Sequence, residues 1–94
     1  MGKTILELTI KKKWFDMIVS DEKPEEYRDI KEYWKKRLVG KLYSHVRFRN
    51  GYATNAPTHM REIRSIAIGN GNPYWGAAIG KKVFIIKLGC SVLS

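Results

Sequence analysis

The stretch from Ser20 to Arg28 reads Ser-Asp-Glu-Lys-Pro-Glu-Glu-Tyr-Arg. Pro24 fixes its own φ and disfavours the α region at Lys23, so the stretch is predicted to be an extended or turn-like loop rather than a helix. Side chains alternate in an extended chain, so Glu26 and Arg28 point to the same side and can pair. Lys23 can reach over the same surface. A carboxylate between two cations can organise an anionic ligand or tune the pKa of the lysine. The alternative interpretation is that these charged residues form a solvated loop without a binding role.

The residues before this stretch predict a strand followed by a helix. Alternating apolar residues predict a strand from Thr4 to Ile10, and apolar residues at helical spacing predict a helix of two to three turns after Lys13. The side chains expected to face the core are Leu6, Leu8, Ile10, Trp14, Phe15, Ile18 and Val19. Lys11 to Lys13 precede this helix, where the positive end of the helix dipole disfavours cations. Their presence there indicates contact with phosphate, and the alternative is that they only make the surface soluble.

The residues after the stretch predict a second helix. Asp29-Ile-Lys-Glu32 has the form of a capping box, and Gly40 is expected to end the helix. Arg37 lies at the edge of the apolar stripe. It is expected to stack on the indole of Trp34 or to reach back to Glu26.

The second half of the chain predicts strands. Val46 and Phe48 are expected to face inward, and this strand should end at the turn Asn50-Gly51. Further strands are predicted from Arg61 to Ile68, with a β-bulge near Arg64-Ser65, and from Lys82 to Leu88, where an apolar run indicates a central strand. Cys90 is expected to be a small buried hydrophobe.

Polar residues follow the first of these strands. If they border the Lys23 loop, they supply what an unpaired base needs, namely a cation, amide groups and a stacking ring. The residues concerned are Arg49, Asn50, Tyr52 and Asn55. The alternative is that Asn50-Gly51 is turn chemistry and Tyr52 a rim residue.

The order of elements indicates an α+β fold in one domain spanning residues 1–94. A curved, partly closed β-barrel with two helices over one opening fits the order and the apolar pattern. Periodicity alone does not separate this architecture from an OB-like barrel.

The charge indicates a polyanionic partner. The net charge is +9, and residues 42–94 contain seven basic residues and a single acid, Glu62. Such a surplus favours nucleic acid. Neither a long basic amphipathic helix nor a membrane-length apolar run is present, so no membrane partner is expected. The absence of a secretory pattern and the presence of one cysteine predict a cytoplasmic protein.

The central stretch resembles the Gly-x-Lys-x-x-Glu-x-Arg signature of the ASCH family, whose small domains are similar to the RNA-binding PUA fold. Lys23, Glu26 and Arg28 match the signature, and Asp21 stands at its glycine position. Aspartate is among the residues that tolerate the left-handed region. The resemblance covers nearly the whole chain and is carried further by residues 14–20, 33–38, 48–52, 55–58 and 85–89. It implies a PUA-like barrel.

Together these features predict a binding module that places RNA or a nucleotide in a cleft around the motif. The predicted ligand-binding residues are Lys23, Glu26, Arg28, Arg37, Arg49, Asn50, Tyr52 and Asn55. No metal or cofactor is predicted, since His45, His59 and Cys90 lack metal-ligand spacing.

Two other functions stay open. One is a small hydrolase in which Lys23 stabilises charge and Glu26 or His59 acts as base, with ribonuclease chemistry as one form. The resemblance adds a second form, because some ASCH relatives are amidohydrolases acting on acetylated cytidine. Those relatives have a hydroxyl at the position of Glu26 and an acid in a later helical insertion that this chain does not match. The other function is recognition of a protein or small acidic metabolite.

Overall fold

The N-terminal third folds as its apolar pattern predicts. In the computed structural model, which describes residues 4–92, strand β1 spans Ile5–Ile10 and buries Leu6, Leu8 and Ile10. Helix α1 (Lys12–Val19) follows after one residue and buries Phe15 and Ile18. The helix packs its apolar face against the sheet, beside the strand His45–Asn50.

The second half of the motif stretch is an edge strand, and its first half, residues 20–24, is a turn that carries Lys23 and Pro24. Strand β2 spans Glu25–Asp29 and pairs antiparallel with a long strand from Lys82 to Val92. The prediction of an extended or turn-like backbone is therefore confirmed, and pairing with this long strand satisfies the backbone of residues 25–29.

The second helix begins later than the predicted capping box. Helix α2 spans Glu32–Leu38, its N-cap is Lys31, and no side chain caps it. Asp29 is the last residue of β2 and pairs with Val83, which holds it in the sheet and away from the helix N-terminus. The predicted capping box is wrong for this reason.

A five-stranded sheet curls into a half-barrel, and the two helices complete the α+β fold. With β3 at His45–Asn50, β4 at Thr58–Asn70 and β5 at Lys82–Val92, the strand order is β1-β3-β4-β5-β2. The pair β1–β3 is parallel, and the other pairs are antiparallel. The register between β4 and β5 shifts on both sides of Ile63, which confirms the predicted bulge region.

The edge strands β1 and β2 lie at the two ends of the sheet and approach each other at the seam of the half-barrel. The Arg28 Nη2 atom of β2 lies 3.4 Å from the Thr9 carbonyl oxygen of β1 and donates to it. This seam places the motif next to the C-terminal end of β1.

The core fills the concave side of the half-barrel. Apolar residues from β1, α1, β3 and β5 form one buried cluster, which includes Ile18, Val46, Phe48 and Ile86 with no exposed surface. Cys90 is exposed, so its predicted burial is wrong. No helix within residues 4–92 is long and apolar enough to cross a membrane.

Candidate functional site

Lys23 is buried at the centre of the site, with 1% of its surface exposed. Its Nζ donates to the Trp75 carbonyl oxygen at 2.6 Å and lies 3.4 Å from Glu26 Oε1. The ammonium also lies 4.8 Å from the ring centroid of Tyr27 and 5.1 Å from that of Trp14. Lysine is almost never fully buried unless it is paired. This lysine is therefore an internal cation held by an aromatic and carbonyl cage.

Glu26 lies between two cations, as the spacing of the motif predicts. Its Oε2 accepts a hydrogen bond from Arg28 Nη2 at 2.7 Å, while its other carboxylate oxygen faces Lys23. Residues i and i+2 of β2 share one side of the strand, which explains why Glu26 and Arg28 meet. The Arg28 guanidinium lies 4.8 Å from the ring centroid of Trp34 on α2. Two cations and one carboxylate leave this triad with a formal charge of +1.

Burial shifts the pKa values of the groups around the triad. Burial lowers the pKa of the Lys23 ammonium, and the Glu26 carboxylate opposes that shift. Burial also raises the pKa of the Tyr27 phenol to about 12. The phenol donates to Glu25 Oε1 at 2.7 Å and accepts from the Asn72 backbone N–H at 3.0 Å. Tyr27 therefore stays protonated and links the motif strand to the segment that covers it.

The segment between β4 and β5 covers Lys23. Its centre is a 3-10 turn, Pro73–Trp75, whose N-cap Asn72 accepts from the Tyr74 N–H at 2.9 Å. Tyr74 in turn donates to Glu22 Oε2 at 2.7 Å. At Gly76, φ is +105° and an added Cβ would lie 3.0 Å from the Trp14 ring. A glycine at this position lets the turn approach the cage closely.

Two buried donors around the triad have no hydrogen-bond partner within the described residues 4–92. They are Arg28 Nε and Trp75 Nε1. Both residues contact the Lys23–Glu26 pair, Arg28 through the carboxylate and Trp75 through its carbonyl. A buried donor without an acceptor costs about 1–3 kcal/mol. These two donors are therefore a local cost to stability beside the triad.

An open pocket of about 430 Å³ lies on the other side of the seam. It is lined by Thr9, Ile10, Lys11, Lys12, Asn50, Gly51 and Tyr52. Thr9 connects this pocket to the motif, because its carbonyl accepts from Arg28. The Gly51 N–H donates to the Ile10 carbonyl at 3.2 Å and fixes the loop against the end of β1. Two of the predicted binding residues, Asn50 and Tyr52, therefore line the same pocket as two lysines. The Tyr52 side chain is 90% exposed.

Two predicted binding residues at the end of β3 and in the loop after it, Arg49 and Asn55, lie outside this pocket. Arg49 donates to the carbonyl oxygens of Ala53 and Thr54, with 3.0 Å to the latter, and so holds the loop after β3 in place. Asn55 is exposed on the same loop. Neither residue lines the pocket, although both belong to the segment that carries Tyr52.

Arg37 stacks on Tyr33 rather than on Trp34. Its guanidinium lies 3.6 Å from the Tyr33 ring centroid and donates to the Tyr33 carbonyl at 3.1 Å. Residues i and i+4 are neighbours on a helix face, so the tyrosine is the nearer ring for this arginine. Both predicted contacts of Arg37 are wrong, because the Trp34 ring faces Arg28 and the Glu26 carboxylate is paired with Lys23 and Arg28.

An unpredicted ion pair supports the start of the motif. Asp21, at the glycine position of the signature, has a left-handed backbone with φ +71°, and its Oδ1 lies 3.0 Å from Arg61 Nη2. Arg61 is buried and also donates to the carbonyl oxygens of Gly89 at 2.6 Å and Ile18 at 3.0 Å. The backbone that glycine would adopt is thus kept by an aspartate anchored to a buried arginine. The sequence signal was an arginine inside a strand pattern near the bulge.

His59 lies close to this ion pair. Burial lowers the pKa of its imidazole, and the Arg61 cation lowers it further. Its Nε2 lies 3.1 Å from Ser91 Oγ. Within residues 4–92, no group of three or more His, Cys, Asp or Glu side chains is arranged to hold a metal ion.

Comparison of the chain with protein-family models, with curated proteins and with solved structures gives no significant match in any of the three. The chemistry of the seam is therefore the basis on which a function is assigned.

Proposed function

We propose that this chain is an ASCH domain with a PUA-like half-barrel, and that it binds RNA or a nucleotide in the cleft around Lys23, Glu26 and Arg28. The observation that carries this proposal is the triad of net positive charge, whose Arg28 side chain keeps 18% of its surface exposed and donates to Thr9, a residue that lines the adjoining pocket. The matched signature and the five-stranded half-barrel support the family assignment.

The triad suits a ligand that is rich in acceptor atoms. Arg28 presents a planar fork of donors, and its side chain keeps 18% of its surface exposed at the seam. A phosphate or the carbonyl edge of a base would bind the exposed part of the Arg28 side chain and compensate the positive charge of the triad. Lys23 and Glu26 are more deeply buried, so their role is to orient Arg28 and set the local field.

The adjoining pocket supplies the other contacts that a nucleotide needs. Tyr52 is an exposed ring on which a base can stack, and Asn50 offers an amide for a base edge. Lys11 lines the same pocket and suits a phosphate, and Lys12 lines it while paired with Asp16 at 2.5 Å. A volume of about 430 Å³ lies within the usual range for small-ligand pockets. In this proposal Arg49 holds the loop, and Asn55 and Arg37 extend the basic and polar rim.

The test is the fluorescence anisotropy of a labelled single-stranded oligoribonucleotide across a salt series. Tyr52→Ala is expected to weaken binding by about 1–3 kcal/mol because a stacking ring is lost, while Tyr52→Phe keeps wild-type affinity. Lys11→Ala is expected to lower the slope of log affinity against log salt by about 0.7. Lys36→Ala, an exposed lysine on α2, is the matched control and should leave binding unchanged. Equal binding by wild type and Tyr52→Ala would overturn the proposed site.

The hydrolase is the second candidate, and one observation favours it. Burial lowers the pKa of Lys23, which brings its neutral, proton-accepting form closer to physiological pH, beside a carboxylate 3.4 Å away. Multiple-turnover assays with acetylated cytidine and with a short RNA test the amidohydrolase and ribonuclease forms. Product formation that is lost in Lys23→Met would establish an enzyme. RNA binding without product formation would exclude the hydrolase forms tested and support the binding module.

A further inference from the structure

Half of strand β4 has an open edge. From Thr58 to Glu62, β4 lies between β3 and β5, and Ile63 still donates to the Ser44 carbonyl at 3.0 Å. From Ser65 to Asn70 the strand pairs with β5 alone. Along this part, no strand within the described residues 4–92 covers the other edge. Such an edge presents unpaired backbone donors and acceptors that can accept another strand.

An apolar groove of about 760 Å³ runs along this open edge. All six consecutive residues 63–68 line it. Successive side chains of a strand alternate between the two faces, so a groove lined by six in a row follows the strand edge rather than one face. The connection between α2 and β3 lines the groove as well. Two buried core residues, Leu38 and Phe84, also line it, so the groove reaches the edge of the hydrophobic core.

Large apolar side chains are concentrated in this groove. Leu42 is 91% exposed, Val39 is 61% exposed and Ile68 is 55% exposed. Exposed apolar groups that gather along a backbone edge are typical of an interaction surface, whereas single exposed apolar residues are normal.

The charge of the groove is positive. Among the described residues 4–92, the charged side chains that line it are Lys41 and Arg64, and no acid lines it. The chain as a whole carries a net charge of +9. A second copy would bring two strongly positive surfaces together, whereas an acidic segment of another protein would be attracted.

We propose that the open edge of β4 binds an extended acidic peptide segment of a partner protein, which adds to the half-barrel as a sixth strand. Backbone hydrogen bonds to residues 65–70 would hold the peptide, and its alternate apolar side chains would enter the groove. Its acidic residues would face Lys41 and Arg64. Six strand residues offer an edge of about 20 Å, enough to hold a peptide of similar length. This interaction is independent of the proposed nucleotide site at the seam.

The test uses a labelled synthetic peptide that alternates valine or phenylalanine with aspartate or glutamate over nine positions. Binding is followed by anisotropy, and the site is mapped by the backbone amide signals of the ¹⁵N-labelled protein. Leu42→Glu should weaken binding at least about tenfold, because it removes an apolar contact at the groove and introduces a negative charge that repels the acidic peptide. Ile79→Glu is the matched control, since Ile79 is 87% exposed and lies outside the groove, and it should leave affinity unchanged.

Three results together would support the proposal: saturable binding of the peptide, chemical-shift changes centred on the amide signals of residues 65–70, and loss of binding when alternate peptide amides are N-methylated. N-methylation removes the backbone hydrogen-bond donors along one edge of the peptide. The proposal is overturned if binding is absent at about 1 mM peptide, where even a weak interaction is detectable. It is also overturned if a lysine-for-acid peptide binds equally well. Protection of the 65–70 amides by self-association or by RNA instead of the peptide would likewise overturn it.

Discussion

Glu26→Gln is the substitution that most directly tests the buried triad. The carboxylate lies 2.7 Å from Arg28 Nη2 and 3.4 Å from Lys23 Nζ, and only 8% of its side chain is exposed. Glutamine keeps the shape of the side chain but removes the negative charge. Two cations would then face each other near a neutral amide, without a counter-ion.

The expected loss follows from the cost of leaving a buried charge unpaired. Breaking a buried ion pair by removing one partner costs about 3–5 kcal/mol. Domains of this size are stable by only about 5–15 kcal/mol, so the loss is a large fraction of the total. The midpoint of thermal unfolding should fall by roughly 12 °C or more.

The measurement is urea unfolding with Glu7→Gln as the matched control. Glu7 is also a strand glutamate paired with an arginine, Arg47, but 60% of its side chain is exposed. An exposed pair contributes at most about 1 kcal/mol, so the control should be nearly neutral. The two variants differ in burial and in the number of cations that face the carboxylate.

The double variant Lys23→Met/Glu26→Gln tests whether the effect is electrostatic. Removing Lys23 relieves part of the repulsion, so the double variant should lose less stability than the sum of the single variants, with a coupling of about 1–3 kcal/mol. Additive losses, or equal losses for Glu26→Gln and Glu7→Gln, would refute the interpretation of the triad as a coupled buried cluster.

Two further predictions concern the neighbours of the triad. Asp21→Ala should destabilise the protein by about 1 kcal/mol more than Asp21→Gly in urea unfolding, because both lose the ion pair with Arg61 but only alanine is strained at φ +71°; equal losses would contradict the strained backbone. For Tyr27, whose pKa is raised to about 12 from 10.0, the unfolded state releases its proton first, so stability should fall as pH rises through this range. The hydrogen bond to Glu22 also raises the pKa of Tyr74, so the absorbance titration at 295 nm is carried out in a Tyr74→Phe background. There it should show a late tyrosinate step that Tyr27→Phe removes, and persistence of that step would contradict the assignment.

Local patterns were sufficient to predict most of the fold. Alternation in β1 and β3 and the apolar face of α1 are local signals, and the structure confirms them. The capping box failed because pairing with Val83 keeps Asp29 in a strand, and strand pairing is a long-range contact. Pro24 predicted an extended or turn-like backbone for the motif, as the structure has it, but the pairing of residues 25–29 with β5 is a long-range contact that no local pattern contains.

The motif residues of the candidate site and one of their pairings were predicted from the sequence, but the burial of Lys23 was not. The spacing of the motif predicted the pairing of Glu26 with Arg28, because it depends only on alternation in a strand. The burial of Lys23 depends on Trp75, which is 52 residues further along the chain, so no local pattern contains it. The ion pair of Asp21 with Arg61 joins residues 40 positions apart, so no local pattern contains it either, and it anchors the left-handed backbone of Asp21.

Both proposed binding surfaces lie where the curled sheet is incomplete. At the seam, β1 and β2 are unpaired with each other, and Arg28 crosses the gap to Thr9. A full ladder there would satisfy the backbone and cover the motif, leaving no entrance for a nucleotide. At β4 the sheet is incomplete because β3 begins at His45, opposite Glu62, while β4 continues to Asn70. A half-barrel therefore keeps two unsatisfied edges of different character, a polar, positively charged seam suited to an acceptor-rich ligand and an apolar edge suited to an added strand.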